Sequence, residues 1–105
     1  VIKILEKQVE SFLVREVKKL GGLAYKFSSP GKRSVPDRLC LFPTGLVAFV
    51  ELKRPGKKAT MAQAREIEKI KKRGVIALVI DSKPRVKAFI NWIEKKIEAR
   101  KLVLR

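Results

Sequence analysis

Asp37, Glu51 and Lys53 are the residues of this chain whose types and spacing could carry hydrolytic chemistry. Two short apolar runs, Arg38 to Phe42 and Leu46 to Val50, read as strands joined by a turn at Pro43-Thr44-Gly45. Asp37 lies at the outer end of the first and Glu51 at the outer end of the second. An antiparallel pairing through that turn sets Asp37 across from the region of Glu51 to Lys53. Two carboxylates brought close repel each other and favour a cation between them, and oxygen-only ligands suit a hard ion such as magnesium or manganese. The implied object is a divalent metal site with a lysine beside it.

Alternation along the second strand puts Val47, Phe49, Glu51 and Lys53 on one side and Ala48, Val50 and Leu52 on the other. Both sides are apolar up to Val50, as in a strand covered on both faces, so the charges that end the run need partners. The rest of the composition narrows the chemistry by exclusion. The chain has no histidine, which removes Ser-His-Asp and Cys-His catalysis and histidine-ligated metal enzymes. Cys40 is the single cysteine, set inside an apolar strand, and reads as a buried, inert thiol.

The elements that must position these residues follow from periodicity. Ile2, Leu5, Val9, Phe12, Leu13, Val17 and Leu20 make one face of a helix ended by Gly21-Gly22. Leu23 to Phe27 reads as a strand, and Ser28 to Ser34 as a polar loop. The basic loop Arg54-Pro55-Gly56-Lys57-Lys58 ends the hairpin, and Thr60 opens a helix to about Arg73 with Ala64, Ile67 and Ile70 inward. Val75 to Ile80 is a continuous apolar run, best read as a central strand. The last helix starts at Asp81-Ser82 and Pro84, and turns Val86, Phe89, Ile90, Ile93 and Ile97 inward. Trp92 falls off that stripe, as a half-buried ring or an anchor for a partner. The apolar end Lys101 to Arg105 is read as an edge strand or an interface cover. Gln63 has two readings: it completes a capping box with Thr60, and it also falls on the apolar face, where an amide needs a partner.

Pro36-Asp37 followed by Glu51-Leu52-Lys53 resembles the PD-(D/E)XK nuclease superfamily. The segments Glu6 to Gly22, Lys26 to Gly31, Val35 to Arg38 and Phe49 to Gly56, with Gln63 after them, are similar to the VRR-NUC subgroup, the virus-type replication and repair nucleases. The resemblance runs from about Glu6 to Ser82. It implies an α/β fold with the restriction-endonuclease-like core, a mixed four-stranded sheet flanked by helices in the order αβββαβα. It also implies that Asp37, Glu51, the Leu52 backbone carbonyl and a first-helix glutamate hold magnesium or manganese. By that match the glutamate is Glu10, with Glu6 the alternative. Gln63 lies beside the active site in similar nucleases, and Lys53 orients the attacking water and stabilises the pentacovalent phosphate. Where the family usually has glycine this chain has Ser34, which leaves the course of that loop open.

One domain of 105 residues, spanning the whole chain, is the expectation. Its formal charge of +16, from 26 Lys and Arg against 10 Asp and Glu, predicts a polyanionic partner. Lys32, Arg33, Arg38, Arg54, Lys57 and Lys58 are the candidate nucleic-acid contacts. With no apolar run near ~20 residues, a membrane partner is not expected and the cytoplasm is, at a nucleoid or viral replication site. The resulting expectation is a metal-dependent, structure-selective deoxyribonuclease acting on branched or duplex DNA. Four-way junctions are the leading substrate, cut by a homodimer; a monomer processing flaps or nicks and a noncatalytic basic binding module are the alternatives.

Overall fold

A computed structural model describes residues 2–104 and, within its first helix, side chains from Leu5 onward. The predicted inward position of Ile2 and the terminal Arg105 lie outside the described residues. The elements run α1 (Ile2–Lys19), β1 (Leu23–Lys26), β2 (Arg38–Leu41), a single 3-10 turn (Pro43–Gly45), β3 (Val47–Leu52), α2 (Met61–Lys71), β4 (Ile76–Ile80) and α3 (Lys83–Val103). The sheet order is β1-β2-β3-β4. The first three strands are antiparallel neighbours and β4 joins β3 in parallel after the α2 crossover. This is the mixed four-stranded α/β sheet that the sequence implies.

Pairing decides which side of the sheet each residue faces. Cys40, Ala48, Val50, Leu52 and Ile80 lie on the side covered by α1 and α3, in one core with Val9, Leu13, Val17, Val86, Phe89, Ile93 and Ile97. The inward stripe predicted for α3 is the one observed. Each such Ile, Leu, Val or Phe removed from water stabilises the fold by roughly 1.5–3 kcal/mol. Leu39, Phe49, Ala77 and Glu51 face the other way, toward α2, where Ile67 is buried and Phe27 meets Phe49 edge-on at 5.3 Å. Ala64, expected inward, is exposed on the outer side of α2.

The α1–β1 junction depends on Gly22. A Cβ there would stand 2.8 Å from the Leu41 carbonyl oxygen and 2.9 Å from a Val17 methyl, so no larger residue fits. Two readings of strands fail as well. β4 is an edge strand, not a central one: its continuous apolar run reflects cover on both faces, while one hydrogen-bonding edge stays open. The segment from Lys101 continues α3, held by the Lys101–Glu98 pair and by the Leu104 amide on the Arg100 carbonyl, and forms no strand. Its Leu102, Val103 and Leu104 are exposed.

Candidate active site

The β2–β3 ladder pairs Arg38 with Val50 and Leu39 with Phe49. Carried past its last rung, that register sets Asp37 opposite Glu51 and Pro36 opposite Leu52. A proline has no N–H to donate, so the Leu52 carbonyl, which points to the β2 side, meets no ladder donor there. The Leu52 amide on that same side donates to Asp37 Oδ2 at 3.2 Å, and the Phe27 amide donates to the Asp37 carbonyl at 2.8 Å. Asp37 is thus fixed from both flanking strands. The part played by Pro36 was legible only once the register was known.

Glu51 is 4% exposed, at the end of a strand that is otherwise apolar. Its Oε2 accepts from Gln63 Nε2 at 3.0 Å and lies 3.4 Å from Lys53 Nζ. Burial, and then the adjoining Asp37 carboxylate, push its pKa up to about 8, against the pull of Lys53. Lys53 itself is held at the strand end by its amide on the Ile80 carbonyl, 3.0 Å away. Gln63 satisfies both of its predicted readings. Its Oε1 accepts from the Thr60 amide at 2.9 Å and its own amide donates to Thr60 Oγ1 at 3.1 Å, closing the capping box, while its Nε2 is spent on Glu51.

The structure therefore brings Asp37, Glu51, Lys53, Gln63 and the Leu52 backbone to one end of the sheet. Glu10 is placed otherwise. Its Oε2 lies 3.0 Å from the Arg38 guanidinium, which also donates to the Ala24 carbonyl at 2.8 Å, on the α1 side. Among the described residues no three carboxylates form a ready-made cluster. Glu6 is exposed. The donors at the sheet end still fit a hard divalent cation: two opposed carboxylates, one so crowded that it favours a proton near neutral pH, beside a backbone carbonyl without a ladder donor. No thiolate competes, because Cys40 is buried on the other face and burial pushes its pKa up to about 12.

Arg38 must be corrected as a nucleic-acid contact. It is 8% exposed, committed to Glu10 and Ala24, and its Nε has no partner, so the side chain serves the interior. The other predicted basic contacts are accessible. Lys57 and Lys58 are exposed on the loop after β3, with Arg54 half-buried. Lys32 and Arg33 line a cavity of about 320 Å3 with Ser34, Arg65, Glu66 and Lys69. Arg65 and Lys69, on the outer turns of α2, are cations that sequence periodicity alone gave no reason to single out. Ser34 has φ of 69°, a left-handed conformation that a glycine would take without strain.

No family profile matches the chain. A protein of Acyrthosiphon pisum secondary endosymbiont phage 1, named "Putative nuclease p44", is 51% identical over 79 residues, covering 75% of this chain and 85% of that one. A solved structure described as a VRR_NUC domain superposes with a TM-score of 0.78 at 34% identity, over 82% of this chain and 94% of the other. On the strength of these two similarities and of the fold they share, the chain belongs to the VRR-NUC nuclease family.

Proposed function

We propose that this protein is a magnesium- or manganese-dependent, structure-selective endodeoxyribonuclease that hydrolyses phosphodiester bonds in branched DNA, four-way junctions first among them. The observation that carries this reading is the register that opposes Asp37 to Glu51 with Lys53 and Gln63 both on Glu51 Oε2. Asp37, Glu51 and the Leu52 carbonyl would hold the cation, with Glu10 joining them if released from Arg38. When bound, the cation supplies Lewis-acid polarisation of the phosphate and of a water molecule.

The chain's own residues do the positioning. Two donors on one oxygen fix the plane of the Glu51 carboxylate, so its remaining oxygen keeps a constant direction toward the site. The Leu52 amide does the same for Asp37. The Lys53 ammonium orients the attacking water and stabilises charge gathering on the pentacovalent phosphate. Lys32, Arg33, Arg54, Lys57 and Lys58 hold the backbone by contacts that carry no base information, which favours recognition of DNA shape over sequence.

A symmetric junction needs two cuts and hence two sites, which a C2 homodimer supplies. The open edge of β4 and the adjacent Trp92, 45% exposed, are the features that support pairing of two copies. The test is a labelled panel of duplex, flap and four-way junction DNA, titrated with magnesium and run beside light scattering. Junction cutting by a dimer is expected. Mobility shifts without cutting, or cutting that persists in excess chelator, would overturn the proposal.

A further inference from the structure

A groove of about 270 Å3 opens between α1 and α3, lined by Lys7, Gln8, Ser11, Arg15 and Lys83. Arg15 and Lys83 share a single aromatic ring, standing 5.5 Å and 5.9 Å from the centroid of Phe12. Convergence of three exposed cations is unfavourable unless something negative lies among them. Among the described residues, no carboxylate comes within 4.0 Å of any of the three. The basic cavity beside α2 is different, since Lys32 and Lys69 there share Glu66 at 3.0 Å and 3.2 Å.

Lys83 is also at the wrong end of its helix. It occupies the first turn of α3, where the helix dipole is positive and acidic residues are favoured, and that turn holds none. Arg85 in the same turn is neutralised by Asp81 at 3.3 Å; Lys83 is not. Among the described residues the Phe12 ring is the one side chain seen to favour a lysine there, whereas a phosphate lying in the groove would gain from Lys83 and the positive end of the helix dipole together. Gln8 and Ser11 add neutral donors.

Topology places this groove at the catalytic end. β4 runs parallel to β3 with Ile80 beside Leu52, so α3 begins where Glu51 and Lys53 end. On α1, Lys7 and Ser11 flank Glu10, which reaches Arg38 next to Asp37. We infer that the groove of Lys7, Gln8, Ser11, Arg15 and Lys83 is a second phosphate-binding site that grips the nucleic-acid backbone away from the cut. The strand then crosses the end of the sheet, from the α1–α3 face to the basic loops on the α2 side. This placement rests on the nuclease reading; the phosphate affinity of the groove does not.

The test substitutes Lys7→Gln, Arg15→Gln and Lys83→Gln together, and measures DNA binding against salt in chelator, without cutting. Each lost phosphate contact lowers the slope of log affinity against log salt by about 0.9, so the triple variant should lose about 2 to 3 in slope. Its KM for cleavage in magnesium should rise about tenfold. A control of equal charge, Lys72→Gln, Lys95→Gln and Arg100→Gln, removes exposed cations remote from the groove and should change the slope by less than one. Melting temperature of the groove variant should hold or rise, because mutually repelling charges are removed. Equal slopes for the two triple variants would overturn the inference, as would loss of binding to anionic phosphatidylserine vesicles with DNA binding intact. A wild-type protein that binds with the steep slope but never cuts would sink the nuclease reading and leave the groove standing.

Discussion

Gln63 is tied to Glu51 by the one amide atom that its own helix does not use: Oε1 caps α2 while Nε2 reaches Glu51 Oε2 at 3.0 Å. The start of the crossover helix and the orientation of a buried carboxylate are thereby set by the same side chain. Replacement by alanine should remove both side-chain contacts while leaving the bond from the residue-63 amide to Thr60 Oγ1, costing about 1 kcal/mol in stability through the lost hydrogen bond to the Thr60 amide and about tenfold in cleavage rate. Gln63→Glu keeps the capping box but sets a third carboxylate against Glu51 and Asp37. Its melting temperature should stay close to that of Gln63→Ala or above it, while cleavage falls further. Cleavage by Gln63→Glu at the wild-type rate would show that the contact is structural only.

The proton affinity of Glu51 gives the metal-free protein a defined pH response. Its folded pKa, about 8, is above the ordinary value of 4.5. The stability it contributes is therefore complete below the ordinary value and is lost as pH rises through about 8. Melting temperature in chelator should fall between pH 6 and pH 9, and Glu51→Gln should flatten that fall. On the proposed reading magnesium competes with the proton for the same oxygens and should raise the melting temperature more at pH 9 than at pH 6. The check is a set of thermal melts across this range with and without the metal.

Arg38 and Glu10 make a second prediction about stability. The guanidinium is almost fully buried and the glutamate partly so, which puts the loss from removing Arg38 alone below that of a wholly buried pair, at about 2 kcal/mol. Arg38→Met should show this loss in denaturant unfolding. Adding Glu10→Met should recover at least half of it, because no carboxylate is then left without its partner. DNA affinity of the double variant should match wild type, since Arg38 faces the interior.

Ser34 holds a left-handed backbone at φ of 69°. Such a conformation costs a non-glycine residue roughly 1–2 kcal/mol, offset in part by the greater freedom of glycine when unfolded. Ser34→Gly should therefore stabilise the protein by up to about 1 kcal/mol, and Ser34→Val should destabilise it by at least as much. Melting temperatures of the two variants decide the matter.

Much of this architecture can be read from residues alone, where one local rule governs. The stripe Val86, Phe89, Ile90, Ile93, Ile97 is helical in period and is the buried face of α3. The turn at Pro43 to Gly45 forces the hairpin, and the hairpin forces Asp37 toward Glu51. What stays hidden depends on partners distant in the chain. An apolar run such as Val75 to Ile80 reports cover on its faces and is silent about its edges, so it does not distinguish a central strand from the edge strand that β4 is. Arg38 is hydrophilic by type and reads as a surface cation until Glu10 and the Ala24 carbonyl are seen beside it. The groove of Lys7, Arg15 and Lys83 exists only because α1 and α3 pack together; its one trace in the sequence is a lysine at the positive end of a helix.

On the proposed reading Asp37 and Lys53 serve a single phosphodiester centre with Glu51. This is tested most directly by cleavage of labelled four-way junction DNA in magnesium by Asp37→Ala and Lys53→Ala proteins, with binding measured on the same preparations in chelator. Either substitution should abolish cleavage, by at least about a thousandfold, and leave salt-sensitive binding within about twofold of wild type. Cleavage that survives in both single variants would contradict it.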